Sequence, residues 1–135
     1  MPAPLILIIE DDSHIGGLVC EVLREAGYRT HLLADANLAR SAEVARLSPD
    51  AVISDLVVEG VGPASEVARQ LNAIFPGVPL TLMTGVPPNR RAQLGVSDER
   101  ILEKPFELET LLRAVESMVG LPAEPDRYRA WPDRA

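Results

Sequence analysis

Leu5-Ile6-Leu7-Ile8-Ile9-Glu10-Asp11-Asp12-Ser13 is a run of five aliphatic residues that meets three acids and a serine. Five residues are too few for a helix. The run is rich in Ile and shows no polar alternation, so it reads as a strand buried on both faces. Asp12-Ser13 is a helix-start signal. Beyond it, Ile15, Leu18, Val19, Val22 and Leu23 recur at the three-and-four spacing of one helix face, and Gly27 stands where a left-handed cap closes the last turn. The first unit is strand, acidic loop, helix.

The rhythm continues along the chain. Tyr28 to Leu33 reads as a strand and Asn37 to Leu47 as an Ala-rich helix. Pro49-Asp50 breaks the chain before a third strand, Ala51-Val52-Ile53-Ser54. Pro63 suits the first turn of a helix running through Val67, Leu71 and Ile74. Pro76-Gly77-Val78-Pro79 is a turn, Leu80 to Met83 a fourth strand and Ile101 to Glu103 a brief fifth. Gly85 to Arg100, with Pro87-Pro88 and Gly95, predicts no more than a short or irregular helix. Leu108 to Val119 is a final helix with Leu108, Leu111, Leu112 and Val115 on one face. Strands alternating with helices give an α/β fold: a parallel sheet covered on both sides, with right-handed crossovers. From Leu121 the chain turns polar and Pro-rich, which separates a tail over 121–135 from a domain over 1–120.

Composition bounds the function. The 135 residues suffice for one domain, and with only 4% aromatics its core is built from Val, Leu, Ile and Ala. Twenty acidic against 13 basic residues give a net charge of −7. That disfavours direct DNA binding, which needs a basic face, and docking on an anionic membrane. One cysteine and two histidines furnish neither a disulfide within the chain nor a structural zinc site. Cys20 reads as a small core residue, and His14 and His31 as surface or helix-face residues. No apolar run approaches the length that spans a bilayer, so the expected location is cytoplasmic.

In open parallel sheets, ligands bind beyond the carboxyl ends of the strands. There the first strand delivers Glu10, Asp11 and Asp12, the third Asp55, the fourth Thr84, and the fifth Lys104 followed by Pro105. Carboxylates crowded together raise one another's pKa and cost stability. A hard divalent cation relieves that repulsion, and Mg²⁺ is the natural choice because it leaves room for phosphate oxygens. A metal, a lysine and a hydroxyl together suit a phosphoryl group, with Asp55 as the nucleophile. Taken singly, Asp12 is a helix cap, Asp11 a cap or a ligand, Thr84 a turn residue and Lys104 a surface lysine. Their convergence favours chemistry.

Glu10-Asp11, Asp55, Thr84-Gly85 and Lys104-Pro105-Phe106 resemble the receiver domains of two-component response regulators, over about residues 4–120. Intervals of 44, 29 and 20 residues separate Asp11, Asp55, Thr84 and Lys104, the last interval somewhat short for that family. The resemblance implies a flavodoxin-like (βα)5 sandwich with strand order 2-1-3-4-5. It also implies transfer of a phosphoryl group to Asp55 from a sensor histidine kinase or a histidine phosphotransfer protein. Asp11, Asp55 and the Val57 carbonyl would ligate Mg²⁺, and Glu10 would act mainly through a metal-bound water. Thr84 would hydrogen-bond the phosphoryl group, Lys104 would ion-pair with it, and Pro105 would follow a cis bond. Such a chain catalyses only its own phosphorylation and dephosphorylation, and signals to a downstream protein target. Leu82-Met83-Thr84-Gly85 and Glu103-Lys104-Pro105-Phe106 look like receivers attached to hybrid kinases.

Departures from the pattern carry their own expectations. Ile101 stands where the family usually has an aromatic, which bears on any coupling to Thr84. Glu59 replaces a common proline, either pointing to water or adding a carboxylate to the metal edge. Val57 and Val86 cannot orient an attacking water, which implies slow self-dephosphorylation. The competing reading is a phosphate-independent receiver that acts as a protein-binding module. A phosphohydrolase for small substrates lacks a general acid or base beside the nucleophile, and flavin binding would set a cofactor phosphate against the acidic edge.

Overall fold

The computed structural model describes residues 3–33, 45–55, 64–85 and 101–122. Strands β1 (Leu5–Ile9), β2 (Arg29–Leu33), β3 (Ala51–Asp55), β4 (Leu80–Thr84) and β5 (Ile101–Glu103) form one parallel sheet in the order β2-β1-β3-β4-β5. Helices α1 (Ser13–Glu25), α2 (Ala64–Ile74) and α3 (Leu108–Val119) cover it. This is the flavodoxin-like architecture expected from the sequence.

β1 explains why the opening run is aliphatic throughout. It lies between β2 and β3, with Leu7 opposite both His31 and Val52. Its alternate residues therefore enter two separate cores. Ile6 and Ile8 join Ile53, Met83 and Leu102 against Val19, Cys20 and Leu23 of α1 and Leu111 and Val115 of α3. Leu7 and Ile9 join Val52, Leu71 and Phe75 on the α2 side. The strands start from a clamp in which Leu5 N–H donates to Asp50 Oδ2 at 2.8 Å and Asp50 N–H donates to Leu5 O at 2.8 Å.

Helix ends follow the local chemistry. Asp12 caps α1, accepting from the N–H groups of His14 and Ile15 at 2.9 and 3.2 Å. Gly27, at φ +103°, closes it, and Tyr28 N–H returns to Leu23 O. The buried Tyr28 then donates its hydroxyl to Gly120 O at 2.8 Å, tying the end of α3 to the end of α1.

Two expectations about helix faces are corrected. Leu18 is 50% exposed and Leu108 47% exposed. The buried stripe of α1 runs through Gly16, Val19, Cys20 and Leu23, and at 3.6 residues per turn Leu18 falls on the far side of it. Leu108 is the first residue of its helix, whose buried residues are Leu111 and Val115. The Ala-rich helix read over 37–47 is also not seen where it is described, since Ala45–Leu47 is a single 3₁₀ turn. The rest of that segment, Pro63, most of the Gly85 to Arg100 stretch and the tail from residue 123 lie outside the described residues.

The two glycines of α1 differ in consequence. A Cβ on Gly16 would stand 2.9 Å from Leu32 Cδ1 and 3.5 Å from Glu10 Cβ, whereas one on Gly17 would meet nothing within 4 Å. Gly17→Ala should therefore stabilise the protein by about 0.5–1 kcal/mol through helix propensity alone. Denaturant unfolding checks this: an unchanged or lowered midpoint would show that α1 does not need a rigid backbone there.

Candidate functional site

The sheet order creates the site. After β1 the chain moves outward to β2, then returns to place β3 on β1's other flank. A crevice opens where the direction of winding reverses, beyond the ends of β1 and β3. Strand parity decides what enters it. Glu10 follows Ile8 by two residues, Asp55 follows Ile53, and Lys104 follows Leu102. Ile8, Ile53 and Leu102 belong to the same core, so all three polar residues continue rows on one face of the sheet.

Glu10, Asp11 and Asp55 each offer a carboxylate oxygen, and these oxygens lie within 4.8 Å of one another. Lys104 Nζ lies 3.1 Å from Glu10 Oε2 and 3.6 Å from Asp55 Oδ2. When all are ionised, three carboxylates face one ammonium, an excess of two negative charges that one divalent cation would neutralise. The all-oxygen donor set fits a hard ion, so the cluster is consistent with Mg²⁺ binding.

Glu10 is buried in the crevice floor, at 1% exposure. Burial pushes its carboxyl above the usual range, and the nearby charge of Asp55 adds to the rise. Opposing them are the Asp12 N–H, which donates to Glu10 Oε1 at 3.1 Å, and the Lys104 ammonium. Glu10 thus grips Lys104 directly, a contact that the sequence reading, which gave Glu10 a role through metal-bound water, did not contain.

Thr84 is buried at the end of β4 opposite Glu103, and its carbonyl accepts the Lys104 N–H at 2.6 Å. This main-chain link holds Lys104 at the sheet edge, and the next peptide, Lys104–Pro105, is cis. Ile101 is half-buried in β5 opposite Leu82. Asp12 serves as the α1 cap. Val57, Glu59 and Val86 lie outside the described residues.

Sequence reasoning also passed over Ser54. It is fully buried, and its hydroxyl donates to the Asp55 carbonyl oxygen at 2.9 Å. The available signal was a hydroxyl following three aliphatic residues, Ala51-Val52-Ile53, in the strand and preceding Asp55.

No protein-family model matches the chain. A response regulator receiver protein of Anaeromyxobacter is 32% identical over 113 residues, 82% of this chain and 43% of that protein. The DNA-binding response regulator MtrA of Mycobacterium tuberculosis is 33% identical over 114 residues, 81% of this chain and 49% of its own length. The chain thus spans about half the length of the curated relatives it matches. Among solved structures, the receiver domain of a sensor histidine kinase from Pseudomonas aeruginosa PAO1, with a magnesium ion coordinated in its active-site cleft, is 30% identical. That match covers 87% of this chain and 98% of the other, with a TM-score of 0.69. The chemotaxis response regulator CheY4 of Vibrio cholerae shares the fold at a TM-score of 0.71 and 24% identity, covering 86% of this chain and 98% of its own.

Proposed function

The chain belongs to the receiver-domain family of two-component response regulators, and from that premise we propose that Asp55 accepts a phosphoryl group from a phosphohistidine. The observation that carries the reading is the meeting of Glu10, Asp11 and Asp55 within 4.8 Å, with Lys104 beside Asp55. An Asp55 carboxylate oxygen attacks phosphorus, the phosphorus–nitrogen bond breaks, and the imidazole leaves and takes up a proton. Lys104 and Thr84 hold the phosphoryl oxygens, by ion pair and by hydrogen bond. Glu10, Asp11, Asp55 and the Val57 carbonyl would hold Mg²⁺, whose chemistry is to offset charge on the phosphoryl oxygens. The protein is then a signalling module, not an enzyme acting on a separate substrate.

The phosphoryl donor is a sensor histidine kinase or a histidine phosphotransfer protein, and the output is contact with a downstream protein. The acidity of the chain supports protein over direct DNA contact for this segment, although MtrA is itself named a DNA-binding regulator. Residues 1–120 are the receiver domain and 121–135 a tail. No helix described is long and apolar enough to cross a membrane. The role proposed for the chain is a cytoplasmic one.

A second reading, a phosphate-independent receiver that binds a partner in one conformation, is favoured by Ile101, an aliphatic residue in β5 where the family usually has an aromatic. Intact mass after incubation with acetyl phosphate separates the two. The phosphoryl reading expects one adduct per chain, formed with Mg²⁺ and not with EDTA. No adduct, together with no Mg²⁺ binding by calorimetry, would leave the second reading standing.

A further inference from the structure

We propose that Ser54 is a positioning residue for the cation site, its hydroxyl fixing the peptide by which the chain leaves β3 at Asp55. The inference rests on the receiver reading above. Ser54 shares a sheet face with Val52, and its register neighbours are Ile9 of β1 and Leu82 of β4. That layer is aliphatic and aromatic, built from Leu7, Ile9, Val52, Leu71 and Phe75. A hydroxyl buried there costs free energy unless it is bonded. It is bonded, to the carbonyl of the one residue that the site needs most accurately placed.

The location gives the bond its consequence. Asp55 is the last residue of β3, at the edge of the sheet where the carboxylates meet. A planar peptide held at its carbonyl oxygen is held as a whole, from the Asp55 Cα onward. Ser54 thereby sets the root of the Asp55 side chain. Asp55 lies on the α1 and α3 side of the sheet and Ser54 on the α2 side. Ser54 therefore acts from behind the strand and is placed to touch neither cation nor phosphoryl group.

Calorimetric titration of Mg²⁺ into the full chain tests this, with melting in EDTA as the control for folding. Three proteins are compared: wild type, Ser54→Ala and Ser54→Thr. Ser54→Ala should melt within a few degrees of wild type in EDTA, since alanine suits an apolar layer, yet bind Mg²⁺ about tenfold more weakly. Ser54→Thr, which keeps the hydroxyl, should bind within about twofold of wild type. Equal affinity in wild type and Ser54→Ala would overturn the inference while leaving the receiver reading intact. Equal weakening in both variants would also overturn it, because the fit of the side chain and not the hydroxyl would then be responsible. Absence of Mg²⁺ binding in wild type would remove the receiver reading and this inference with it.

Discussion

Asp55→Asn should abolish the phosphoryl adduct while leaving the metal-free protein at least as stable as wild type. The first half follows from the nucleophile: an amide oxygen cannot take the phosphoryl group as a carboxylate does, and no other described carboxylate has Lys104 beside it with comparable exposure. Glu10 also touches Lys104, but it is buried on the crevice floor. The second half follows from charge. Asp55 raises the pKa of Glu10, so its ionised form is a cost to the folded state in the absence of a cation. Its contact with Lys104, at 3.6 Å, is the looser of the two that the lysine makes, and Glu10 keeps the closer one. Such a trade of stability for a reactive cluster is common at functional sites. Mg²⁺ should reverse the ranking. Wild type should gain thermal stability on saturation as binding draws the equilibrium toward the folded state, and the Asp55→Asn variant should gain little. Intact mass and melting curves with Mg²⁺ and with EDTA measure both halves. A drop of several degrees in EDTA would mean that Asp55 holds the fold together, and a surviving adduct would mean that another residue is the acceptor.

The same charge logic explains how much of this site was legible in the sequence. Glu10, Asp11, Asp55 and Lys104 could be gathered because each stands at the end of an unmistakable aliphatic strand, and parallel strands of one sheet end on one edge. The strand bounds were likewise near: β1 and the final helix fall where the periodicity put them. Helix faces were read less well. Three-and-four spacing tolerates a broad stripe, and only the glycine at position 16, packed under Leu32, reveals which edge of that stripe meets the sheet. Leu18 therefore looked like core and is exposed. The Glu10–Lys104 contact spans 94 residues of chain, and no local pattern encodes it. Ser54 escaped because a serine at a strand end resembles the start of a turn. Its meaning depends on the two strands packed beside it.

Lys104→Met should cost about 2 kcal/mol at neutral pH, and the loss should fade as the solution is acidified. Glu10 lies at 1% side-chain exposure and Lys104 at 23%, so removing the lysine strands a carboxylate that water barely reaches. Breaking a fully buried pair costs roughly 3–5 kcal/mol, and the partial exposure of the lysine lowers that figure. The pH dependence follows from direction alone. In the folded wild type the Glu10 carboxyl already sits above its usual range, with Lys104 among the groups that hold it down. Without Lys104 it rises further, whereas in the unfolded chain it remains near about 4.3. Below that value the carboxyl is protonated in both states and the stranded charge does not exist. As pH rises, the unfolded state ionises first, and the variant loses stability until the folded carboxyl ionises too. The deficit against wild type is thus smaller near pH 4 than at pH 7. Two companions make the cause specific. Glu10→Gln in the same chain removes the charge and should recover most of the loss, and Mg²⁺ should raise the melting temperature of Lys104→Met by more than that of wild type, because the cluster it enters carries one more uncompensated negative charge. Urea melts at both pH values read the deficit and its recovery, and thermal melts with and without Mg²⁺ read the last. A deficit independent of pH, with no recovery in the double variant, would show that the lysine stabilises the fold through its methylene packing and not through the charge of Glu10.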